Sequence, residues 1–371
     1  MIYHADLNLT NRCELRCKYC HSSSGQPKKD ELSQSEWIRA IKKLHESGIQ
    51  SISFAGGEPM LHPEVIPLVN YACSLPSFRV ALITGGAFNH DLLKRLPTSE
   101  HQFSISLSID HYEQAKFNLT RPPRQGYRSS YSFESAIATA EALGMLGISW
   151  SVNTVLTSTN APEIEELYTF VVKRLGAAGL LLIVCANIGR GSKSDGQGLP
   201  YSQFKERLLY WTEQKSKGLL SAMRISTISP WEFYLPLAEM GIELAECENL
   251  WHYSTPSRFD ALEACDTSDT TGITEIAIDS NGDIYPSVLL SGLQSARLGN
   301  ILNSDLNFIQ NSSIFQQFQK PKPYLTYPAC STCLIVRQCR GGSKARSFWL
   351  MGSTLSMDPF CPRASDLVSP S

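Results

Sequence analysis

YHADLNLTNRCELRCKYC (Tyr3–Cys20) joins two signals end to end. Its first half, Tyr3–Leu9, alternates apolar and polar side chains and reads as a strand. Its second half sets Cys13, Cys17 and Cys20 at C-x3-C-x2-C spacing. The thiols follow the strand directly, so they fall on the loop at its C-terminal end. Five more short apolar, mostly β-branched runs follow: Ser51–Ala55, Val80–Thr84, Ser104–Ile109, Ser149–Leu156 and Gly179–Ala186. Amphipathic segments separate them, near Ser35–Ser47, Pro63–Leu75, Asp91–Leu96, Phe133–Leu146 and Pro162–Leu175. Repeated strand–helix units require parallel strands with helices packed outside. Six such units are too few for the closed eightfold barrel. The expected fold is α/β, a partial (β/α)6 barrel with its chemistry at the C-terminal mouth.

The chain has 371 residues, 42% of them hydrophobic and 18% charged, with a net charge of −2. That length allows two or three domains. The near-neutral balance argues against a nucleic-acid partner or a polybasic membrane surface. No stretch approaches the ~18 consecutive apolar residues of a membrane span. The first ten residues lack the features of a signal peptide. The reading is therefore a cytoplasmic protein. We divide it into a barrel (1–200), a bridging helical segment (201–262) and a C-terminal region (263–371). Asn187–Pro200 reads as a loop or linker and Tyr201–Lys217 as a helix. Ile273–Leu290 reads as a hairpin about Asn281-Gly282. From Pro321 to Pro362 the composition turns to Cys, Pro, Gly and Arg and calls for an inorganic staple. The tail, Ala364–Ser371, is expected to fray.

Eleven cysteines in an intracellular chain point to metal ligation rather than disulfides. Three thiolates can hold a four-iron cluster and leave one iron open; zinc completed by His21 is the alternative. A second group, Cys330-x2-Cys333-x5-Cys339-x21-Cys361, suits a closed cluster or tetrahedral zinc. C-x3-C-x-aromatic-C after the first strand, with Tyr19 as the aromatic residue, resembles the radical S-adenosylmethionine (SAM) family. The resemblance implies a 4Fe-4S cluster on Cys13, Cys17 and Cys20, with SAM bound at its open iron. Gly56-Gly57-Glu58-Pro59, ending the second strand, is similar to that family's SAM-amine motif. Physically, the glycines admit close backbone approach and Glu58 adds an acceptor. Ser108 and Asp110 stand where similar proteins place a ribose contact, and Asn153 is a further candidate. An arginine for the SAM carboxylate is expected among Arg121, Arg124 and Arg128. The C-terminal group, with Cys339-Arg-Gly-Gly342 and Asp358-Pro-Phe-Cys361-Pro362, resembles the SPASM extension of radical SAM proteins.

Departures from that pattern matter. Ser287 and Ser343 stand where further cysteines of a second auxiliary cluster are expected, and only Cys265 remains. Serine is a poor iron ligand, so one auxiliary 4Fe-4S cluster is expected, on Cys330, Cys333, Cys339 and Cys361. The region about the hairpin should then lie open, with Cys265 as the candidate catalytic thiol or a buried relic. Val288 replaces an acidic residue that some such enzymes use as a base. Cys73 and Cys185 read as buried hydrophobes; Cys247 and Cys265 lie between the two cluster regions. His21 and His62 read as structural, and Trp231, Phe233, Tyr234, Trp251 and Tyr253 as core or groove. The resemblance implies radical modification of a peptide or protein by crosslinking, oxidation or epimerisation. No segment precedes the first strand to serve as a leader-binding module, so a separate peptide-recognition protein is one expected partner. A flavodoxin or ferredoxin is the expected electron donor. The alternative substrate is a small molecule such as a carbohydrate, aminoglycoside or tetrapyrrole. For the tetrapyrrole, the stretch Cys339–Arg346 is similar to one in haem-pathway members.

Overall fold

Polar and apolar residues alternate along the barrel strands, and the alternation decides which face looks where. In Phe103–Ser108, Phe103, Ile105 and Leu107 are buried while the three serines between them are not. Trp150–Leu156 repeats the pattern, with Ser151 and Asn153 on the less buried face. A parallel sheet covered on both faces would read as continuous apolar runs. Here only one face meets the helices. The computed structural model describes residues 2–98, 102–128, 131–192, 198–253, 256–306, 309 and 311–364.

Six parallel strands stand as expected: β1 (His4–Thr10), β2 (Ser51–Gly56), β3 (Arg79–Thr84), β4 (Phe103–Ser108), β5 (Trp150–Leu156) and β6 (Leu180–Val184). A seventh, β7 (Met223–Ser226), pairs in parallel with β6 inside the segment read as helical. It has four residues, of which only Met223 and Ile225 are buried, too few for a pattern to register. The hairpin forms β8 (Glu275–Ile278) and β9 (Asp283–Tyr285), with Gly282 at a φ of 84° in the turn. Its β8 lies parallel to β1, and β10 (Gly299–Asn300) completes one ten-stranded sheet in the order β10-β9-β8-β1-β2-β3-β4-β5-β6-β7. The C-terminal hairpin thus extends the barrel's own sheet.

Helices cover the apolar face. In α1 (Gln34–Glu46), Trp37, Ala40, Ile41 and Leu44 are buried at helical spacing. A capping box of Ser33 and Glu36 starts that helix, the Ser33 amide donating to Glu36 Oε2 at 2.9 Å. The next helices are α2 (Val65–Ser74), α3 (Gln114–Thr120), α4 (Tyr131–Leu146), α5 (Ile164–Tyr168), α6 (Tyr201–Ser216) and α7 (Pro230–Ala238). Among the described residues between β3 and β4, the helical element is a short 3-10 helix, His90–Arg95. Trp231, Phe233 and Trp251 are buried, and Phe233 stacks on Tyr253 at 3.9 Å, so these aromatics are core. His62 is buried with its Nδ1 accepting the Glu64 amide at 3.2 Å, a structural role.

Around Ser287 and Ser343 the hairpin region is filled, and its open space stands instead at the β8–β9 turn, beside Asp279 and Ser280. Ser287 and Ser343 are buried, and Ser287 Oγ donates to Glu275 Oε1 at 3.0 Å. Lys344 Nζ donates to the Phe318 carbonyl at 2.5 Å, and its amide meets Asp269. Lys322 Nζ reaches the carbonyls of Gly341 (3.1 Å), Ser343 (3.2 Å) and Ser356 (2.7 Å). Two lysines with paired donors occupy the ground that a second cluster would need. Most of the tail expected to fray lies outside the described residues.

Candidate active site

Glycine at two adjacent positions lets β2 end against the cysteine loop. A Cβ on Gly57 would stand 2.1 Å from the Arg12 carbonyl oxygen, and one on Gly56 would stand 2.6 Å from that of Thr10. The Gly57 amide donates to the Thr10 carbonyl and the Glu58 amide to that of Arg12, both at 2.8 Å. Pro59 opens a one-turn 3-10 helix, Pro59–Leu61. The Glu58 carboxylate is buried and accepts from Thr84 Oγ1 (2.7 Å), the Gly85 amide (2.8 Å) and the Met60 amide (3.1 Å). Burial pushes its pKa up to about 7, against the pull of those donors. Glu58 therefore braces the ends of β2 and β3, with much of its accepting capacity already used.

Tyr19 ties the cysteine loop to the far wall. Its hydroxyl donates to Asp110 Oδ2 and accepts from an Arg121 guanidinium nitrogen at 2.7 Å. Asp110 also accepts from the Val155 amide (3.2 Å) and Thr120 Oγ1 (3.4 Å), so its oxygens serve the protein framework rather than standing open to a ribose. Ser108 and Asn153 are register partners on β4 and β5 and lie side by side at the mouth. Of the three candidate arginines, Arg121 is the buried one, and its Nε is buried without a partner. Arg124 donates to the Cys13 carbonyl at 3.4 Å, and exposed Arg128 pairs with Glu134. An unpaired buried guanidinium nitrogen beside the cysteine loop is what an incoming carboxylate would satisfy.

A family model for the radical SAM superfamily matches residues 7–171, and one for the SPASM iron–sulfur cluster-binding domain matches residues 265–334. The chain is a radical SAM enzyme with a SPASM domain. The AdoMet-dependent heme synthase of Oleidesulfovibrio alaskensis is 24% identical over 95% of this chain and 85% of its own. The mycofactocin maturase MftC of Mycobacterium tuberculosis is 25% identical over 95% of this chain and 81% of its own. SuiB of Streptococcus suis, solved with its precursor peptide SuiA, shares the fold. Its TM-score is 0.74 at 16% identity, over 96% of this chain and 75% of that one.

The cofactors of this radical SAM enzyme are SAM and two 4Fe-4S clusters, and the thiols fit them. All eleven cysteines are free. Burial pushes Cys13 up to about 12 and Cys17 up to about 11, with neighbouring thiols adding to the rise for both. Thiols so placed stay protonated unless a metal centre takes the proton's place. Cys330, Cys333, Cys339 and Cys361 line a single cavity. Among the described residues no three His, Cys, Asp or Glu side chains converge on one ion position. Cys247 is buried and Cys73 and Cys265 are partly exposed. Cys185 is buried, its carbonyl accepting from Arg346 at 3.1 Å.

Sequence reading passed over Gly189 and Arg190, which stand in the segment taken for a linker. The Arg190 amide donates to the Cys20 carbonyl (2.9 Å), its Nε to that of Cys17 (3.0 Å) and its terminal nitrogen to that of Ser24 (2.9 Å). Gly189 has a φ of 61°, and a Cβ there would stand 2.0 Å from the His21 carbonyl oxygen. The loop after β6 thus grips the cysteine loop. A Gly-Arg-Gly run after a barrel strand was the available signal.

Proposed function

We propose that this enzyme uses SAM to modify a peptide by crosslinking, oxidation or epimerisation. The observation that carries the reading is the match along 95% of the chain to a mycofactocin maturase, and the fold shared with SuiB agrees with it. Bound at this mouth, the first cluster and SAM supply a 5′-deoxyadenosyl radical that can take hydrogen from a substrate. Gly56 and Gly57 bring backbone carbonyls to the SAM ammonium, Arg121 Nε meets its carboxylate, and Ser108 and Asn153 face its ribose. Tyr19, Asp110 and Glu58 hold those groups in place. A flavodoxin or ferredoxin supplies electrons, and a separate protein presents the peptide. We assign residues 1–200 to the barrel, 201–262 to a bridge and 263–371 to the auxiliary-cluster domain. A second reading, a tetrapyrrole substrate, has specific support in the heme synthase at 24% identity and in the Cys339–Arg346 stretch.

The test is isotopic. Anaerobically reconstituted, reduced enzyme is expected to cleave SAM slowly alone, and to move deuterium from a deuterated peptide into 5′-deoxyadenosine. Transfer only from a deuterated carboxylated tetrapyrrole would replace the first reading with the second. No cleavage by enzyme with an intact, reduced first cluster would overturn both.

A further inference from the structure

A cavity of about 190 Å³ lies on the β1 side of the mouth. One ordered water needs only ~10–15 Å³ of such space, so the cavity can hold a side chain. Its floor is Asn8 and Thr10 of β1, and Ser22–Ser24 of the cysteine loop form one wall. The turn between β8 and β9 supplies Asp279 and Ser280, and Ser291 closes it. Every lining residue is polar or glycine. The cavity also touches both halves of the SAM machinery: Ser22 Oγ is 3.4 Å from Cys20 Sγ, and Ser24 Oγ donates to the Gly56 carbonyl at 3.5 Å.

Charge narrows what fits. Lys28 Nζ pairs with Asp279 Oδ2 at 2.9 Å, and Asn8 Nδ2 donates to Asp279 Oδ1 at 2.9 Å. The one cation and the one anion of the wall are spent on each other. A charged guest would have to break that pair, and an aliphatic one would strip water from a hydroxyl-lined wall without return. Ser280 is 1% exposed, and its buried hydroxyl has no hydrogen-bond partner. A neutral guest with a donor and an acceptor would satisfy it. We propose that this cavity is the subsite for an uncharged, hydrogen-bonding side chain of the peptide substrate: a carboxamide or a hydroxyl.

The inference rests on the peptide reading, and binding tests it without turnover. The probes are the N-acetyl amides of asparagine, serine, aspartate and leucine, added to the SAM-loaded holoenzyme and followed by saturation-transfer NMR. Asparagine and serine amides are expected to bind about fivefold more tightly than the other two, the worth of one net hydrogen bond. Ser280→Val should abolish that preference while iron content and SAM cleavage persist. Lys28→Met, at a half-exposed side chain, should leave Asp279 unbalanced and turn the preference toward N-acetyl-lysine amide. Equal binding of all four probes, or an unchanged preference in Lys28→Met, would overturn the proposal. Failure of the peptide reading would show separately, as absent deuterium transfer from peptide with probe selectivity intact.

Discussion

Arg121 joins the cysteine loop to the far wall of the mouth. It holds Tyr19 of the cysteine loop at 2.7 Å, stands 3.9 Å from Asp110, and keeps one buried nitrogen unpaired. Removing one member of a buried charged set costs ~2–5 kcal/mol, largely through the partners left behind. Arg121→Ala is therefore expected to weaken SAM binding at least about thirtyfold in equilibrium dialysis, with the auxiliary cluster's iron retained. Arg128→Ala, at the exposed pair with Glu134, should bind SAM normally. Cys265 belongs to the same scale. It is partly exposed and lies close enough to the buried Lys344 to interact with its ammonium. Cys265→Ala should keep all iron and lose at most ~1 kcal/mol of stability in thermal melts. Loss of four iron would make it a ligand.

At the scale of elements, β7 depends on α6. Lys215 near the end of α6 is buried and donates to the carbonyls of Leu220 (3.1 Å) and Met223 (2.8 Å), with its ammonium 5.0 Å from the Trp251 ring. Burial lowers its pKa to about 8, from 10.5. Between those values the unfolded chain binds the proton and the folded chain does not, so this group makes stability rise with pH across that window. Lys215→Met should remove that part of the slope, by about 1–2 kcal/mol between pH 8 and pH 10, read as denaturant midpoints of the two proteins. Parallel slopes would show that Lys215 titrates normally. The element also explains a gap in the sequence reading. A four-residue strand is specified by its docking on β6 and by a lysine from the preceding helix, not by its own pattern.

Across the whole molecule, one buried cation locks the auxiliary-cluster segment over the barrel. Arg346 donates to Glu232 Oε1 of α7 at 2.6 Å and to the Ala186 and Cys185 carbonyls beyond β6 at 3.3 and 3.1 Å. It also lies 3.7 Å from Asp358, which accepts Trp231 Nε1 at 2.9 Å and stands three residues before Cys361. Breaking such a set costs ~3–5 kcal/mol because the remaining carboxylates stay buried. Arg346→Met should drop iron from about eight to about four per chain while the SAM-binding cluster survives. Full iron and an unchanged melting temperature would show that the lock is dispensable.

The sequence alone determined what short-range chemistry can encode. Three thiols within eight residues, two glycines before Glu58, four cysteines near the end and a repeated strand–helix period are all readable within a few turns of chain. They specify the partial barrel and two groups of metal-ligating thiols, while the clusters and SAM follow from the resemblance those motifs carry to the radical SAM family. Tertiary structure decided everything that joins distant residues: Arg121 over Arg124 and Arg128, Arg190 on the cysteine loop, β8 beside β1, and Ser280 over the β1 cavity. Asn8 and Asp279 meet across 271 residues of chain, and Arg346 meets Glu232 across 114. No local periodicity reports such pairs, because each is selected by burial: a polar group shut away from water must find a partner, and only the fold determines which one is near.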